Sequence, residues 1–438
     1  MKRRDFLAAG AFAGGALLLG PRLARADETC QSPWLPKITG EEEFVYVWTL
    51  GIEGLGDGSD KLVTVDVREG SPTFGRVIHT VSVGGRHEAH HGGFTDDRRH
   101  FWCGGLDDSM IFVFDVATDP AAPRLVRVID DFVEKSGGVV GPHTFYAIPG
   151  RMIISGLSND RDHGGRTALV EYTKDGAYVA TYWLPTMDDL QGAELADGAV
   201  ADGYGYDVRV KPEVNAMLTT SFTGWSNYMM DLDRMLQDPE AMKRFGNTAV
   251  IWDFKARRPK KVFHVPGAPL EIRWAWGEGN NYAFTSTALT SKLWLFWLDE
   301  GGEWQAKAVA DIGDPADVPL PVDISISADN RTLFVDSFMD GKVRVYDVSD
   351  PFRPRQIYER VIGRQLNMVS QSWDGRRVYF TSSLLSRWDK KGEDHEHFLR
   401  AFTWDGRELH PRFEIDFLAE GLGRPHIMRF GSTALYRS

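Results

Sequence analysis

Residues 321–361 read PVDISISADNRTLFVDSFMDGKVRVYDVSDPFRPRQIYERV, which contains four short apolar runs separated by polar turns. The first two runs flank the turn at residues 328–331, and the last two flank the turn at residues 350–354. Apolar and polar residues alternate within the runs, which is the pattern of half-buried β-strands. Four short strands in one compact unit are typical of a blade of a β-propeller.

The same hairpin pattern recurs seven times along the chain. Its polar turns lie at residues 95–99, 149–151, 211–215, 277–280, 328–331, 373–376 and 430–432. A second pair of strands follows each of the first six hairpins, and its first member often ends in a triplet such as Tyr346-Asp347-Val348. The seventh hairpin, from His426 to the C-terminus, has no such pair, whereas residues 61–67 and 76–83 are two strands without a hairpin.

This count predicts an all-β protein, a seven-bladed β-propeller closed by pairing of N- and C-terminal strands. Closure of that kind leaves no exposed sheet edge. A pair of β-sandwiches is the alternative, which strand spacing this regular disfavours. Three segments interrupt the repeat, at residues 187–203, 227–245 and 387–397, and the second has the apolar spacing of a short helix. We expect these segments to lie above one face of the ring.

The N-terminus has the pattern of an export signal. Arg3-Arg4 precedes Phe6-Leu7, an apolar run covers residues 8–19, and Ala24-Arg25-Ala26 is a small-x-small cleavage site. The apolar run is shorter than the roughly 20 residues that span a bilayer, which argues against a membrane anchor. We therefore predict that residues 1–26 are a twin-arginine signal peptide, that residues 27–438 are the catalytic propeller, and that the export machinery delivers it to a Gram-negative periplasm without stable membrane insertion.

Composition excludes two kinds of binding. The formal net charge is −12, and it becomes −16 once the five basic residues and one acidic residue of the signal are removed. Such an acidic protein is not expected to bind nucleic acid, which requires a basic face. The two cysteines, Cys30 and Cys103, rule out a four-thiolate zinc site. In an oxidising compartment they form either one disulfide or two separate thiols.

The histidines coincide with the repeat. In a propeller the first strand of each blade lines the central channel, so the residues at which these strands begin surround its mouth. Those residues are His90, His91, His143, Asp207, Glu271, Asp323, Ser370, Gln371 and His426. Imidazoles from three distant segments at one place are what a transition-metal site requires. The alternative is that these polar side chains cap strands by bonding to neighbouring backbone groups.

The predicted ligands are His90, His91, His143 and His426. Imidazole suits copper, zinc, iron and nickel alike, so the residues alone do not select the metal. His90 and His91 are neighbours and would point to opposite faces of a regular strand, so both bind only if the backbone turns there. Gly92-Gly93 would allow such a turn. Glu88 and Asp323 are expected to orient an imidazole ring or to accept a proton in catalysis.

Several stretches together resemble the selenium-binding protein family, most closely its secreted bacterial branch, the methanethiol oxidases. They are EAHHGG at 88–93, GYD at 205–207, PLEIR at 269–273, DISIS at 323–327, YDVSDP at 346–351, RPR at 353–355, SLLSRWD at 383–389 and PH at 425–426. The resemblance implies a seven-bladed propeller that binds copper through histidines, here His90, His91, His143 and His426. It implies oxidation of methanethiol by dioxygen and water to formaldehyde, hydrogen sulfide and hydrogen peroxide.

The implied reaction needs a proton or hydrogen removed from the methyl carbon. A carboxylate near the metal would accept it, and the candidates are Glu88, Asp207, Glu271 and Asp323, which the sequence does not rank. Two other functions stay open. One is a periplasmic copper-binding protein without turnover, since a fold alone does not establish catalysis. The other is an oxidase of another small sulfur or selenium compound. The sequence is compatible with a monomer or an oligomer.

Overall fold

The computed structural model describes residues 28–159, 166–186, 199–389 and 396–436. In these residues the strands form seven antiparallel sheets of four strands each. The innermost strand of every sheet contacts the innermost strands of the two neighbouring sheets, and the last sheet contacts the first. The predicted seven-bladed, closed β-propeller is therefore confirmed.

The strands follow the chain blade by blade. The N-terminal strands are β1 (Phe44–Leu50), β2 (Lys61–Asp66) and β3 (Arg76–Ser82). The next three blades are β4 (Ala89–Phe94), β5 (His100–Gly105), β6 (Met110–Asp115) and β7 (Arg124–Ile129); β8 (Val139–Ile148), β9 (Arg151–Asn159), β10 (Ala168–Thr173) and β11 (Tyr178–Trp183); β12 (Val208–Lys211), β13 (Ala216–Thr220), β14 (Thr248–Asp253) and β15 (Arg258–His264). Three more are β16 (Pro269–Trp274), β17 (Tyr282–Thr287), β18 (Lys292–Leu298) and β19 (Trp304–Asp311); β20 (Pro321–Ile326), β21 (Thr332–Ser337), β22 (Lys342–Asp347) and β23 (Arg355–Val361); β24 (Met368–Gln371), β25 (Arg377–Thr381), β26 (Phe398–Trp404) and β27 (Leu409–Asp416). The last strand is β28 (Arg424–Gly431).

Helices are few and short. They are α1 (Phe132–Ser136), α2 (Trp225–Tyr228), α3 (Leu232–Gln237) and α4 (Pro239–Met242), with 3-10 turns at Pro212–Val214, Pro315–Asp317 and Thr433–Leu435. The helix predicted within residues 227–245 is thus present as α3 and its neighbours. None of the helices in the described ranges has the length and apolar character needed to cross a bilayer.

Burial decreases from the channel outwards. Every residue of β16, β20 and β28 is buried, whereas the outermost strand β23 is mostly exposed. The inner strands are nevertheless not continuous apolar runs: β12 reads VRVK, β16 reads PLEIRW and β28 reads RPHIMRFG, so buried polar side chains recur along them. Several of these buried polar side chains belong to the candidate site.

The ring closes with different strands from those expected. β28 pairs with β1, in a register that places Tyr46 opposite Arg429, and β1 continues to β2 and β3. The prediction of two C-terminal strands in the seventh hairpin is wrong, because the residues after β28 form the turn Thr433–Leu435. The run FVYVWTL of β1 supplies the second strand, since all seven of its side chains are buried. One C-terminal and three N-terminal strands therefore share the closing blade.

Some of the other sequence predictions fall on residues that the structure does not describe, and the rest can be compared with it. The signal peptide at residues 1–26 lies outside them, as do residues 187–198 and 390–395 within the predicted inserts. Helices α2 to α4 lie in one apolar cluster with Tyr206, Leu270 and Leu384 from the inner part of the ring, as expected for a segment covering the channel. Cys30 and Cys103 are both buried and free, so the disulfide alternative is not formed.

Candidate metal centre

Four histidines from three distant segments meet at one end of the channel. The ring centres of His90 and His426 are 3.7 Å apart, and those of His91 and His143 are 3.9 Å apart. His90 lies 5.0 Å from both His91 and His143. All four are at most 2% exposed. The structure thus brings the four predicted ligands together in one histidine cluster.

Recurring β-bulges aim these side chains into the channel. The register of β4 against β5 slips by one residue between Ala89 and Gly92, so His90 and His91 form the bulge. The inner strands β8, β16 and β20 slip at the equivalent place, around His143, Glu271 and Asp323. A bulge adds one residue to a strand and redirects the side chains around it. This is how two consecutive histidines both reach the cluster.

The glycine pair after the histidines has another function than the one predicted. Neither Gly92 nor Gly93 has a positive φ, and the left-handed residue is Glu88, with φ 61°. A Cβ on Gly93 would lie 2.0 Å from the carbonyl oxygen of Phe145 in β8. Glycine is therefore required there for the close approach of the neighbouring blade, which carries His143.

The cluster presents polar atoms that lack protein partners. At this site, five buried atoms have no hydrogen-bond partner among the described residues: His90 Nδ1, His91 Nε2, His143 Nε2, His426 Nε2 and Glu271 Oε1. Ligand atoms of His90, His91 and His426 lie within 4.8 Å of one another, and so do those of His91, His143 and Glu271. An unsatisfied buried polar group costs about 1–3 kcal/mol, so five in one place indicate a bound partner. Imidazoles with one carboxylate fit a transition-metal ion.

Burial keeps the imidazoles neutral. It lowers the pKa of His143 to about 4 and that of His426 to about 3, and His143 reinforces the shift in the pKa of His426. The pKa values of His90 and His91 are also lowered well below their usual range, by burial and by the neighbouring imidazoles. Metal ions bind the neutral ring, so at neutral pH no proton competes for these nitrogens.

The outer nitrogens of two rings have polar neighbours that orient them. His426 Nδ1 lies 3.1 Å from the amide nitrogen of Asn367. His143 Nδ1 lies 3.3 Å from the Thr144 hydroxyl, which donates in turn to Asp207 Oδ1 at 2.8 Å. Such contacts fix ring orientation and direct Nε2 inward.

Asp207 and Asp323 bind backbone and arginine groups instead of facing the cluster with a free oxygen. Asp207 accepts from the backbone N–H groups of Val208 and Ile272, each at 2.8 Å. Asp323 accepts from those of Ile324 at 2.7 Å and Val369 at 3.0 Å. Burial raises the pKa of Asp207 to about 6 and that of Asp323 to about 7. Both carboxyl groups therefore link inner strands of neighbouring blades, which is the capping alternative.

Glu88 is occupied on both oxygens. The backbone N–H of Ser386 donates to Oε1 at 2.7 Å, and the Ser386 hydroxyl donates to Oε2. Burial nevertheless raises the pKa of Glu88 to about 7. Its carboxylate thus holds the loop that contains Leu384 and Leu385 over the histidine cluster.

Glu271 differs from the other three acids. Its Oε1 lies 3.7 Å from His91 Nε2, while Oε2 accepts from Arg273 at 2.8 Å and from Arg209 at 3.0 Å. Burial alone would raise the pKa of Glu271, but the two guanidinium groups outweigh it and lower the pKa to about 2. Glu271 is therefore an ionised carboxylate with one oxygen bound and the other directed at the cluster.

Sequence reasoning missed four residues of the site. Tyr206 packs against the cluster, with its ring centre 4.2 Å from that of His143 and the two rings tilted by 43°. Asn367, Arg209 and Arg273 orient His426 and Glu271. A signal for the arginines exists, because Asp207-x-Arg209 and Glu271-x-Arg273 repeat the same charge pair at the two-residue period that places side chains on one face of a strand. Asn367 and Tyr206 precede their strands and have no comparable pattern.

A closed seven-bladed propeller with four buried histidines at one end of its channel defines the class of protein. Within that class, residues 24–433 match the family model described as 56kDa selenium binding protein (SBP56). The chain belongs to the selenium-binding protein family.

Curated relatives and solved structures agree with this membership. The chain is 69% identical over 439 residues to a protein named methanethiol oxidase from Ruegeria pomeroyi, covering 100% of both chains. It is 54% identical to a methanethiol oxidase from Hyphomicrobium sp, covering 93% of this chain and 91% of that one. A hypothetical selenium-binding protein from Sulfolobus tokodaii has a similar fold, with a TM-score of 0.75 at 24% identity over 89% of this chain and 93% of that chain.

Proposed function

We propose that this chain is a methanethiol oxidase whose reaction depends on a copper ion in the histidine cluster. It converts methanethiol, dioxygen and water into formaldehyde, hydrogen sulfide and hydrogen peroxide. Relatives that match nearly the whole chain are named for this activity. The observation that supports a metal is the set of five unpartnered buried ligand atoms.

His90, His91, His143 and His426 would hold the copper ion. When bound, copper supplies one-electron redox chemistry with dioxygen and favours the thiolate form of a small thiol. The protein supplies a buried site, since the four histidines and Glu271 are almost fully inaccessible to solvent. Burial strengthens each electrostatic contact with the reacting thiol.

Among the four predicted proton acceptors, the contacts favour Glu271. Its Oε1 is unpaired among the described residues, whereas the oxygens of Glu88, Asp207 and Asp323 accept hydrogen bonds from named donors. Its low pKa makes Glu271 a weak base that is negatively charged, beside neutral imidazoles, before the reaction. We therefore assign Glu271 to stabilising positive charge at the centre and to receiving a proton only transiently. Glu88, Asp207 and Asp323 are assigned to structural support.

Oxygen uptake tests the activity. Purified protein given methanethiol is expected to consume dioxygen and to release formaldehyde and sulfide in equal amounts, with about one copper per chain by elemental analysis. Removal of copper by a chelator should stop uptake, and copper alone should restore it. Stoichiometric copper without oxygen uptake would identify a copper-binding protein without turnover. Oxidation of another small thiol or selenol in preference to methanethiol would change the substrate.

The proposed location is the periplasm, reached by the twin-arginine route. The paired Arg3-Arg4 before Phe6-Leu7 supports this proposal. Replacing both arginines with lysine is expected to retain the protein in the cytoplasm, because the export machinery reads the arginine pair. Cell fractionation followed by the oxygen-uptake assay measures the outcome. Unchanged periplasmic activity in the double variant would contradict the proposal, and replacing Arg22 with lysine is the matched control.

A further inference from the structure

The chain segment just after the predicted cleavage site lies inside the propeller. Glu28, Thr29, Cys30, Gln31 and Ser32 are each at most 8% exposed. This segment belongs to no blade, although Glu28 forms an isolated bridge with Ser372 beside β24. Residues 28–32 are called the plug below.

The plug crosses the channel and contacts most of the ring. The Phe430 N–H in β28 donates to Glu28 Oε1, and Thr29 N donates to the Gln371 carbonyl in β24 at 3.4 Å. Four more hydrogen bonds reach other blades. Thr29 Oγ1 lies 3.3 Å from Ser325 Oγ of β20, and Trp276 Nε1, just after β16, donates to the Thr29 carbonyl at 3.1 Å. Arg209 Nη1 of β12 donates to the Cys30 carbonyl at 3.2 Å, and Ser32 Oγ donates to the Ala147 carbonyl of β8 at 2.8 Å. A short segment that bonds to six blades spans the channel.

The plug and the histidine cluster lie at different depths. In β28, His426 belongs to the cluster and Phe430 contacts the plug, four residues further along the strand. In β20, Asp323 lies at the bulge and Ser325, two residues further along, contacts the plug. Two to four residues at about 3.3 Å each separate the levels by roughly 7–13 Å along the strands. The plug therefore lies in the channel on the side away from the bulges that hold the cluster.

Arg209 connects the two levels. Its Nη1 donates to the Cys30 carbonyl of the plug at 3.2 Å, and its Nη2 donates to Glu271 Oε2 at 3.0 Å. Its Nε donates to Asp207 Oδ2 at 2.9 Å. The guanidinium is planar and its donors have a fixed geometry, so fixing two of them fixes the third. The plug thus holds the Arg209 guanidinium, which binds Glu271 Oε2. The other carboxylate oxygen, Oε1, then faces His91.

We propose that the plug seals one mouth of the channel and that Arg209 is a positioning residue, which the plug holds against Glu271 for the reaction at the histidine cluster. The proposal rests on the function proposed above, because the group that is positioned is the carboxylate beside the metal ligands. Reactants then reach the cluster from the other mouth, under the loop held by Glu88 and Ser386. The N-terminal segment becomes part of the active-site support.

Labelling of Cys30 tests the seal. In a Cys103→Ser background, Cys30 is the one remaining thiol, and its reaction with a maleimide is followed by mass spectrometry against the urea-unfolded protein. The triple variant Glu28→Ala, Thr29→Ala, Ser32→Ala removes the hydrogen bonds that these three side chains make, without shortening the chain. We expect labelling at least about tenfold faster than in the parent, because each lost hydrogen bond favours local opening. Equal rates in the two proteins would overturn the seal.

Cobalt substitution tests the positioning. The absorption spectrum of bound Co²⁺ reports ligand geometry without turnover, so it does not depend on methanethiol being the substrate. The triple variant and Arg209→Lys are expected to change that spectrum in the same way. In the copper-loaded protein, kcat should fall about tenfold to a hundredfold with a smaller change in KM. The control Arg400→Lys, in a surface ion pair with Glu414, should change neither.

The outcomes separate the two proposals. Faster Cys30 labelling with an unchanged cobalt spectrum would overturn the positioning role of Arg209. If the cobalt spectrum changes in the variants but the parent protein does not oxidise methanethiol, the positioning role of Arg209 is supported and the proposed function is refuted.

Discussion

Replacing His426 with alanine is expected to abolish bound copper and methanethiol oxidation while leaving the propeller folded. Its Nε2 is one of the five unpartnered buried ligand atoms, and Asn367 fixes the ring from the other side. Loss of a ligand should exceed the roughly 10–100-fold effect of losing a residue that orients a ligand. Elemental analysis should find almost no copper, and oxygen uptake should fall by at least about a hundredfold. His143→Ala is expected to behave in the same way.

The fold should survive because the substitution also removes an unsatisfied nitrogen from the interior. The cavity costs stability, but the buried unpaired group that disappears was itself unfavourable in the metal-free protein. Circular dichroism and a thermal melt of the metal-free proteins measure this. His410→Ala is the control, since His410 is exposed and pairs with Asp405 outside the channel. Stoichiometric copper in the His143 and His426 variants, with loss in the His410 variant, would place the site elsewhere.

Most of the blades can be predicted from local patterns in the sequence. The turn at residues 328–331 and the alternating runs on either side of it specify β20 and β21 without reference to distant residues. The histidine cluster follows from the same repeat, because His90, His143 and His426 occupy the same place in their blades. In a closed ring of repeats, residues at the same place in different blades lie close together, so the repeat predicts contacts between distant segments.

Contacts that do not follow from the repeat could not be predicted from the sequence. β1 has the apolar run of any buried strand, and nothing in FVYVWTL identifies β28 as its partner almost 400 residues later. The plug has no periodicity at all, and its burial follows from the shape of the finished channel. Glu88 shows the same limit within the site: its position beside His90 suggested chemistry, but Ser386, from a loop near the other end of the chain, occupies its carboxylate.

Removing the last dozen residues, from Ile427 onwards, is expected to unfold the whole propeller in one step. The deletion takes away most of β28 and leaves β1 as an unpaired edge beside the channel. It also removes Ile427, Met428 and Phe430, which are fully buried. Each such side chain contributes about 2–5 kcal/mol, so together they approach the 5–15 kcal/mol that typically stabilises a domain. Thermal melting should show a protein without a cooperative transition.

Point variants distinguish the effect of losing a buried side chain of β28 from the effect of losing its backbone pairing. Phe430→Ala keeps the backbone pairing of β28 and should cost about 3–5 kcal/mol, lowering the melting temperature while the transition stays cooperative. Val361→Ala, on the exposed outer strand β23 and 60% accessible, should change the free energy of unfolding by no more than about 0.5 kcal/mol. If the truncated protein melted at the parent's temperature, β28 would not be what closes the ring. The blade made of β1, β2 and β3 would then have to be stable with its inner edge open, which the complete burial of β1 argues against.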